Sequence, residues 1–282
     1  MVDHEKLRRV YKRKLKRLRL IDDSFMTRFF RGNIEGTKLL VRTILERSDL
    51  SIESVSTQET LVNPGRSVGL DILASDGSGA LYNIEVQRDN ARADFRRACL
   101  HASSIMTHHC KPQSEPKDFP QTYVIFITED DYWKNGLPIS HAEWMLREGK
   151  EEISNSCQHI IYVNGKCRRG KKPLALLMHD FFCRNPNKMH HKILADRARY
   201  LKEDEEGVDF MCREFEEVRE MGVKMGVKMG VKIGREEQVR EIVANSVAKG
   251  RSLEEIADFL NSPLATVRKI VAQLNDCQSA SR

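Results

Sequence analysis

Two acidic residues lie in a segment that the sequence predicts to be a β-hairpin. Residues 67–74 and 81–87 alternate apolar and polar side chains, and the Asp-Gly-Ser-Gly sequence at 76–79 is typical of a tight turn. Folding at this turn brings Asp71 level with Glu85. Two converging carboxylates offer the oxygen ligands that a divalent cation prefers, which is the arrangement of metal-dependent phosphodiester hydrolysis.

The second strand of this hairpin also predicts which side chains share a face. Successive side chains point to opposite sides of a strand, so Ile84 and Val86 are expected to be buried while Glu85 and Gln87 project together. We expect this second face to form an exposed site. The competing interpretation is an ordinary solvated face, on which acidic residues are common.

The order of motifs in this chain resembles a known family. Asp71 followed by Glu85-Val86-Gln87 is similar to the D…E-x-Q variant of the PD-(D/E)XK nuclease signature. Four further segments extend the likeness to the PD-(D/E)XK nuclease family transposases, also called recombination-promoting nucleases, over roughly residues 20–220. These segments are DDSFM (22–26), YVIFITE (123–129), HIIYVN (159–164) and LMHDF (177–181).

This resemblance implies a fold, a cofactor and a set of site residues. The fold would be α/β, a three-layer αβα core with a mixed sheet. Asp71 and Glu85 would bind Mg²⁺, or Mn²⁺ in its place, with the backbone carbonyl of Val86 as a third ligand. Gln87 stands where many members of the wider group have lysine, and its amide can orient a water molecule or a phosphate but brings no positive charge.

Many such nucleases use another acidic residue from the first helix. Glu35 and Glu46 are the candidates here, with Glu35 preferred because it begins a helical turn after Gly32. The alternative is that each is a solvated glutamate on a helix surface.

Composition limits the class of protein. The chain has 282 residues, 40% of them hydrophobic and 31% charged, which fits one sizeable core with an appendage. We expect no membrane span, because no apolar run approaches about 18 residues, and no secretory signal. The seven cysteines lack C-x-x-C spacing, which favours reduced thiols in a cytoplasmic protein. The cluster at 108–110 (His-His-Cys) has no partner pair at useful spacing, so a zinc site there is disfavoured.

Positive charge is concentrated in two regions. Nine of the first twenty residues are Lys or Arg, within a net charge of +6. An apolar stripe at helical spacing favours a helix docked on the body of the protein, and the alternative is a dedicated nucleic-acid-binding arm. Residues 88–109 are predicted to form one helix on which Arg88, Arg92 and Arg96 recur every four positions. Such a stripe can neutralise DNA phosphates, although ordinary solvated arginines explain it equally well.

The chain divides into four predicted segments. A basic helix at 1–20 precedes the nuclease-like domain at 21–205, with strands at 52–58, 123–127 and 160–163 and turn and helix at 133–149. A helical or Gly-repeat linker at 206–235 contains three Met-Gly-Val-Lys repeats, and glycine at every fourth position favours flexibility. A module resembling a helix-turn-helix follows at 236–282.

The family resemblance therefore implies a Mg²⁺-dependent DNA endonuclease that promotes recombination, with DNA as its partner. The C-terminal helices are expected to be able to mediate homo-oligomers. Two other classes stay open. One is a non-enzymatic DNA-binding or regulatory protein with a nuclease-derived core, and the other is a structural oligomer joined through its C-terminal region.

Overall fold

A computed structural model describes residues 4–153 and 155–279 of the chain. It contains two compact units, residues 1–212 and residues 213–282, which are treated separately below.

The described residues form eight strands and nine α-helices. The strands are β1 (Ser54–Leu61), β2 (Val68–Ser75), β3 (Leu81–Gln87), β4 (Thr122–Thr128), β5 (Ile139–Ala142), β6 (Met145–Leu146), β7 (Glu151–Glu152) and β8 (Gln158–Asn164). The helices are α1 (His4–Leu15), α2 (Asp23–Phe30), α3 (Ile34–Leu45), α4 (Phe95–His109), α5 (Pro173–Phe182), α6 (Lys192–Glu203), α7 (Glu205–Ala248), α8 (Leu253–Phe259) and α9 (Leu264–Ser279).

A six-stranded mixed sheet is the centre of the first unit. Its spatial order is β1-β2-β3-β4-β8-β5, and β6 and β7 form a separate two-stranded hairpin. The strands β1, β2 and β3 pair antiparallel, whereas β3, β4 and β8 are parallel. The apolar runs in β4 and β8 are buried, as is expected of central strands covered on both faces.

Helices supply the two outer layers. On one face α4 packs against the sheet through a cluster of buried apolar side chains that includes Leu73, Leu81, Ala98, Ala102, Ile105, Val124 and Phe126. On the α2 side of the unit, Phe25, Phe29 and Phe30 of α2 are completely buried, and Phe30 stacks on Phe181 of α5. The unit is thus α/β, and its layers are compatible with an αβα core.

The turn between β2 and β3 forms as its composition predicts. Asp76 accepts hydrogen bonds from the backbone N–H groups of Ser78 and Ala80, and Gly79 adopts φ +85°, where a side chain would be strained. The hydroxyl group of Tyr82 also donates to Asp76, at 2.7 Å.

Two predictions of local structure are wrong. The helix expected over 88–109 begins only at Phe95, because a bend and a short 3-10 turn at Asn90–Ala93 come first and Asp94 caps the helix through the N–H of Arg96. The turn and helix expected over 133–149 are instead the edge strand β5 and the start of the β6–β7 hairpin. This segment contains Gly136, Pro138 and Gly149, which disfavour a helix.

The basic N-terminal segment is a helix docked on the first unit. Tyr11 and Leu15 on its apolar stripe are buried. Arg8 forms an ion pair with Asp209 and lies 3.8 Å from Glu205 at the start of α7. The apolar face of this helix is therefore docked on the first unit.

The Met-Gly-Val-Lys repeats lie within the single helix α7. The glycines at 222, 226, 230 and 234 have nothing within 4 Å of the space a side chain would fill, and the apolar residues between them are exposed. Methionine and lysine favour a helix, and extending a helix avoids a second nucleation cost, which offsets the glycine penalty of about 1 kcal/mol each.

The end of α7 packs with α8 and α9 in the second unit. Val243, Ile256, Ala257 and Val267 form the centre of a small apolar core. The predicted capping box is present, since Ser252 accepts from the N–H of Glu255 while the Glu255 carboxylate accepts from the N–H of Ser252. Within the described range 4–279, no helix has the combination of length and apolar character needed to span a membrane.

Candidate metal centre

The strands β2 and β3 part at the two predicted acidic residues. Their register runs from Ser75 opposite Leu81 to Ile72 opposite Ile84, and the ladder ends there. Beyond it, side chains replace the backbone pairing: the N–H of Asp71 donates to Glu85 Oε1 at 3.1 Å, and the N–H of Val86 donates to Asp71 Oδ2 at 3.2 Å. The two carboxylates therefore occupy the gap between the strands.

Glu85 is completely buried, and the expectation of an exposed site is wrong for this residue. All seven residues of β3 are buried because α4 covers the face onto which Glu85 projects. Arg97 of α4 donates from Nη2 to Glu85 Oε2 at 3.1 Å. A buried carboxylate needs such a cationic partner, since an isolated charge in the interior is very costly.

A buried histidine and an amide complete the surroundings of Glu85. His101 Nε2 accepts from Arg97 Nε at 3.2 Å, so Nδ1 carries the proton of the neutral ring. In the amide orientation that satisfies both groups, the Asn83 oxygen accepts from His101 Nδ1 at 3.1 Å and its nitrogen donates to Glu85 Oε1 at 3.2 Å. Arg97 and His101 are four residues apart on α4, a spacing that places them on one face of the helix and that is visible in the sequence.

The surroundings of Asp71 disfavour its charged form. Burial, together with the neighbouring carboxylate of Glu85, raises the pKa of Asp71 to about 7, against the opposing effects of the Val86 N–H and Arg97. Asp23 adds to the increase, which means that its carboxylate also acts on Asp71. The site therefore concentrates negative charge that its own cation, Arg97, compensates incompletely.

Asp23 is a further acidic residue that acts on this site, and the sequence does not predict it as a site residue. It begins α2, while Asp22 at the cap position makes no capping bond and binds Arg19 instead, at 3.1 Å. The hydroxyl group of Thr27 donates to the Asp23 carbonyl at 3.1 Å and accepts from Gln58 at 3.1 Å.

Gln58 lies on β1 level with Asp71. The register places Thr57 opposite Ile72 and Glu59 opposite Leu70, so Gln58 falls between them, and it has φ +57°. A non-glycine residue in this conformation stores strain, which often marks functional sites.

Gln87 is buried beside Asp71, so the expectation of an exposed face is wrong for this residue as well. Its Nε2 lies 3.5 Å from Asp71 Oδ2, a long hydrogen bond, and its backbone carbonyl accepts from the N–H of Glu129 at 3.0 Å. The structure thus brings Asp71, Glu85 and Gln87 together as predicted. The role of the Val86 carbonyl as a metal ligand stays a prediction.

Neither predicted helix acid is joined to this group by any contact in the described structure. Glu35 is exposed and forms an ion pair with Lys38 at 2.6 Å. Glu46 ends α3 in the left-handed conformation and lines a different cavity, together with Arg42 and Arg169. The electrostatic effect of Asp23 on Asp71 favours Asp23 over both.

The predicted stripe of Arg88, Arg92 and Arg96 is wrong as a feature of one helix, because only Arg96 lies on α4. Arg88 instead binds Glu129 at 2.7 Å and Asp22 at 3.3 Å. Arg19 joins the same ion-pair network, 3.4 Å from Glu129.

An open cleft of about 610 Å³ adjoins the buried network. Arg66, Arg96 and Arg97 line it together with His101 and the backbone that starts β2. Asp94 is the one acidic residue among the lining residues, and it pairs with Arg96 at 3.2 Å. Within the described part of the chain Arg66 makes no ion pair, so the cleft carries net positive charge and suits an anion.

The donor set of the candidate centre fits a hard divalent cation. Its groups are carboxylates and an amide, without thiols, which matches Mg²⁺, Mn²⁺ or Ca²⁺. Asp71 accepts both of its hydrogen bonds at Oδ2, so Oδ1 accepts none within the described structure. A bound cation would also relieve the repulsion that raises the pKa of Asp71.

A second polar cluster lies at the end of α5. Ligand atoms of His179, Asp180 and His190 lie within 4.8 Å of one another. Asp180 is completely buried and already accepts from the N–H groups of His190 and His191 and from His191 Nδ1, at 2.8–2.9 Å. This cluster is better explained as a structural link between α5 and α6 than as a metal site, because its carboxylate oxygens are occupied.

Comparisons of the chain with protein-family models, with curated proteins and with solved structures find no significant match. The function must therefore be argued from the geometry of this site.

Proposed function

We propose that this protein is a Mg²⁺-dependent DNA endonuclease that hydrolyses phosphodiester bonds at the site formed by Asp71, Glu85 and Gln87. One observation carries the proposal. Two carboxylates fill the gap where β2 and β3 part, one of them with its pKa raised to about 7, directly beside an arginine-lined cleft. The carboxylates can bind a metal cation and the neighbouring arginines can bind phosphate groups, a combination that suits cleavage of a polyanion.

The residues of the chain would divide the work. Asp71 and Glu85 would hold the cation, and Asp23, whose carboxylate acts electrostatically on Asp71, would supply a further oxygen. When bound, a divalent cation polarises the scissile phosphate and lowers the pKa of an attacking water molecule. Gln87 would orient a reactant through its amide without adding charge. Arg66 and Arg97 would neutralise phosphates of the DNA backbone.

A role in recombination or transposition rests only on the resemblance of the motifs. We place the activity in the cytoplasm, in line with the free thiols of the six cysteines whose side chains are described.

A cleavage assay tests the proposal. Purified full-length protein is incubated with supercoiled plasmid in Mg²⁺, in Mn²⁺ and in EDTA, and Asp71→Asn and Glu85→Gln are compared with Asp49→Asn. Asp49 is an exposed carboxylate paired with Arg47, which makes it a matched charge control. We expect metal-dependent cleavage that both site variants lose by at least a hundredfold and that the control retains.

The same assay separates the other classes. If the wild-type protein binds DNA but does not cleave it under any metal condition, the non-enzymatic DNA-binding alternative holds. If it neither binds nor cleaves DNA and self-associates strongly, the structural-oligomer class is favoured.

A further inference from the structure

Arg97 connects the buried site to the open cleft. Its guanidinium group bonds Glu85 Oε2 at 3.1 Å, His101 Nε2 at 3.2 Å and the Arg92 carbonyl at 3.1 Å. The Arg97 side chain is 36% exposed, whereas Glu85 has no exposed surface. One cationic group therefore faces both a buried carboxylate and solvent.

The two oxygens of Glu85 are held differently. Oε1 accepts from the N–H of Asp71 and from the Asn83 amide, both fixed on the sheet. Oε2 accepts from Arg97, which reaches it on a long flexible side chain. Movement of Arg97 would thus release one oxygen of Glu85 while leaving the carboxylate positioned by the other.

A phosphate group bound in the cleft would compete with Glu85 for Arg97. Arg66 and Arg96 line it with Arg97, and Asp94 pairs with Arg96 rather than with Arg97. Arginine binds phosphate in the same two-pronged manner as carboxylate, so a phosphate group in the cleft competes directly with Glu85 for this guanidinium group.

We propose that Arg97 acts as a gate for the divalent cation. When the cleft is empty, Arg97 bonds Glu85 Oε2. When a DNA phosphate enters the cleft, it draws Arg97 away and frees that oxygen for the cation. The inference rests on the proposed function and adds regulation to the same site. DNA and metal then bind with positive coupling, and each raises the affinity for the other by the same factor.

The test measures metal binding rather than cleavage. Ca²⁺ is titrated calorimetrically into the full-length protein, alone and with a saturating 20-base-pair duplex, because Ca²⁺ takes oxygen ligands and is a weaker Lewis acid than Mg²⁺. We expect the duplex to raise the Ca²⁺ affinity of the wild-type protein at least tenfold. Equal Ca²⁺ affinity with and without DNA in the wild-type protein would overturn the gate.

Variants locate the coupling. Arg97→Gln should bind Ca²⁺ without DNA about as tightly as the wild type does with DNA, and the duplex should then change its affinity less than twofold. Arg96→Gln is the matched control, since it removes the same charge from the same cleft but does not contact Glu85. It should weaken DNA binding while keeping the coupling, and loss of coupling in this variant would show a general charge effect instead.

Two further measurements keep the outcomes distinct. Arg97→Lys keeps the charge but replaces the planar guanidinium group by a single ammonium nitrogen, so it should retain a folded site with reduced coupling. Asp71→Asn and Glu85→Gln should abolish Ca²⁺ binding. If these two variants bind Ca²⁺ as the wild type does, the metal centre and the proposed function are both refuted. If they lose Ca²⁺ binding as expected but DNA does not change the Ca²⁺ affinity of the wild-type protein, only the gate is refuted.

Discussion

At the scale of single residues, the site has more carboxylate charge than its arginine, Arg97, neutralises. The carboxylates of Glu85 and Asp23 both raise the pKa of Asp71, and Arg97 is the cation that opposes their effect on it. Burial and, after it, repulsion from Glu85 disfavour the charged carboxylate, which explains why the pKa of Asp71 is raised. Such a raised pKa in a buried acidic pair is typical of functional sites.

The pKa of Asp71 predicts how the stability of the metal-free protein depends on pH. Folding raises this pKa from 3.8 to about 7, so the protonated carboxyl group favours the folded state. The resulting stabilisation is complete below pH 3.8 and is lost as the pH rises through about 7. We expect the free energy of unfolding in EDTA to fall by about 2–3 kcal/mol between pH 5 and 8 from this group.

Asp71→Asn should remove that part of the pH dependence, because the amide stays neutral throughout. Urea denaturation at several pH values measures the difference. A variant with the same slope of stability against pH as the wild-type protein would show that Asp71 titrates normally.

A second prediction at this scale concerns the additional acidic residue. Asp23 acts electrostatically on Asp71, whereas Glu35 is paired with Lys38 at an exposed position. We expect Asp23→Asn to lower metal-dependent cleavage at least tenfold and Glu35→Gln to change it less than threefold. Initial cleavage rates at saturating Mg²⁺ give the comparison, and the reverse order of effects would restore Glu35 as the catalytic acid.

At the scale of elements, helices decide whether the residues in the strands meet. The sequence predicts the β2–β3 hairpin and the meeting of Asp71 with Glu85, because alternation and a glycine-rich turn are local signals. It does not predict that Glu85 is buried, since that depends on α4 packing over β3, a contact between distant segments. Asp23 was missed for the same reason: only tertiary structure brings the first turn of α2 to Asp71.

The error over residues 88–109 has a local cause. A spacing of four residues indicates a helical stripe only if the backbone is helical throughout, and Asp94 starts the helix after Arg88 and Arg92. The side chain of Asp94 competes for backbone N–H groups, so it favours a cap over a helix interior. On the helix that follows this cap, Arg97 rather than Arg88 contacts Glu85.

A prediction at the element scale concerns the corner between α5 and α6. Hydrogen bonds from His191 and from the His190 and His191 N–H groups lower the pKa of Asp180 in spite of its burial, so the charged form supports the fold. We expect Asp180→Asn to reduce the free energy of unfolding by about 2–4 kcal/mol, because an amide leaves buried donors unsatisfied. The difference should diminish as the pH falls below about 4, where Asp180 itself becomes protonated in the unfolded state.

Thermal denaturation with and without Zn²⁺ checks the alternative for this cluster. A structural corner predicts no change in Tm with Zn²⁺. An increase in Tm that the wild-type protein shows and Asp180→Asn lacks would instead identify a metal site there.

At the scale of the whole molecule, the two units have separate cores. The first contains the mixed sheet, the candidate centre and the cleft, and the second has its own apolar centre around Val243 and Val267. From the change in composition the sequence predicts that an appendage begins after residue 205. The first unit extends to residue 212, within the helix α7, which continues through the boundary.

The start of α7 belongs to the first unit by its contacts. Val208 and Met211 are buried, and Asp209 binds Arg8 of the N-terminal helix. Truncation after residue 205 would remove these three side chains, whereas truncation after residue 212 keeps them. Burying two apolar side chains of this size contributes about 3–6 kcal/mol, which is a large part of the stability of a typical domain.

We therefore expect residues 1–212 to form a folded protein that retains metal-dependent cleavage, and residues 1–205 to be less stable by several kcal/mol. Urea denaturation of both fragments measures the difference. Met211→Ala in the longer fragment measures what the buried Met211 side chain contributes, and we expect it to reduce the free energy of unfolding by about 2–4 kcal/mol. Because the longer fragment keeps Asp71, Glu85 and the arginine-lined cleft, its cleavage should depend on Mg²⁺ as in the full chain, while the loss of the C-terminal module should weaken DNA binding or change assembly. An unfolded 1–212 fragment would show that the second unit is needed to complete the fold, and equal stability of the two fragments would place the boundary before Val208.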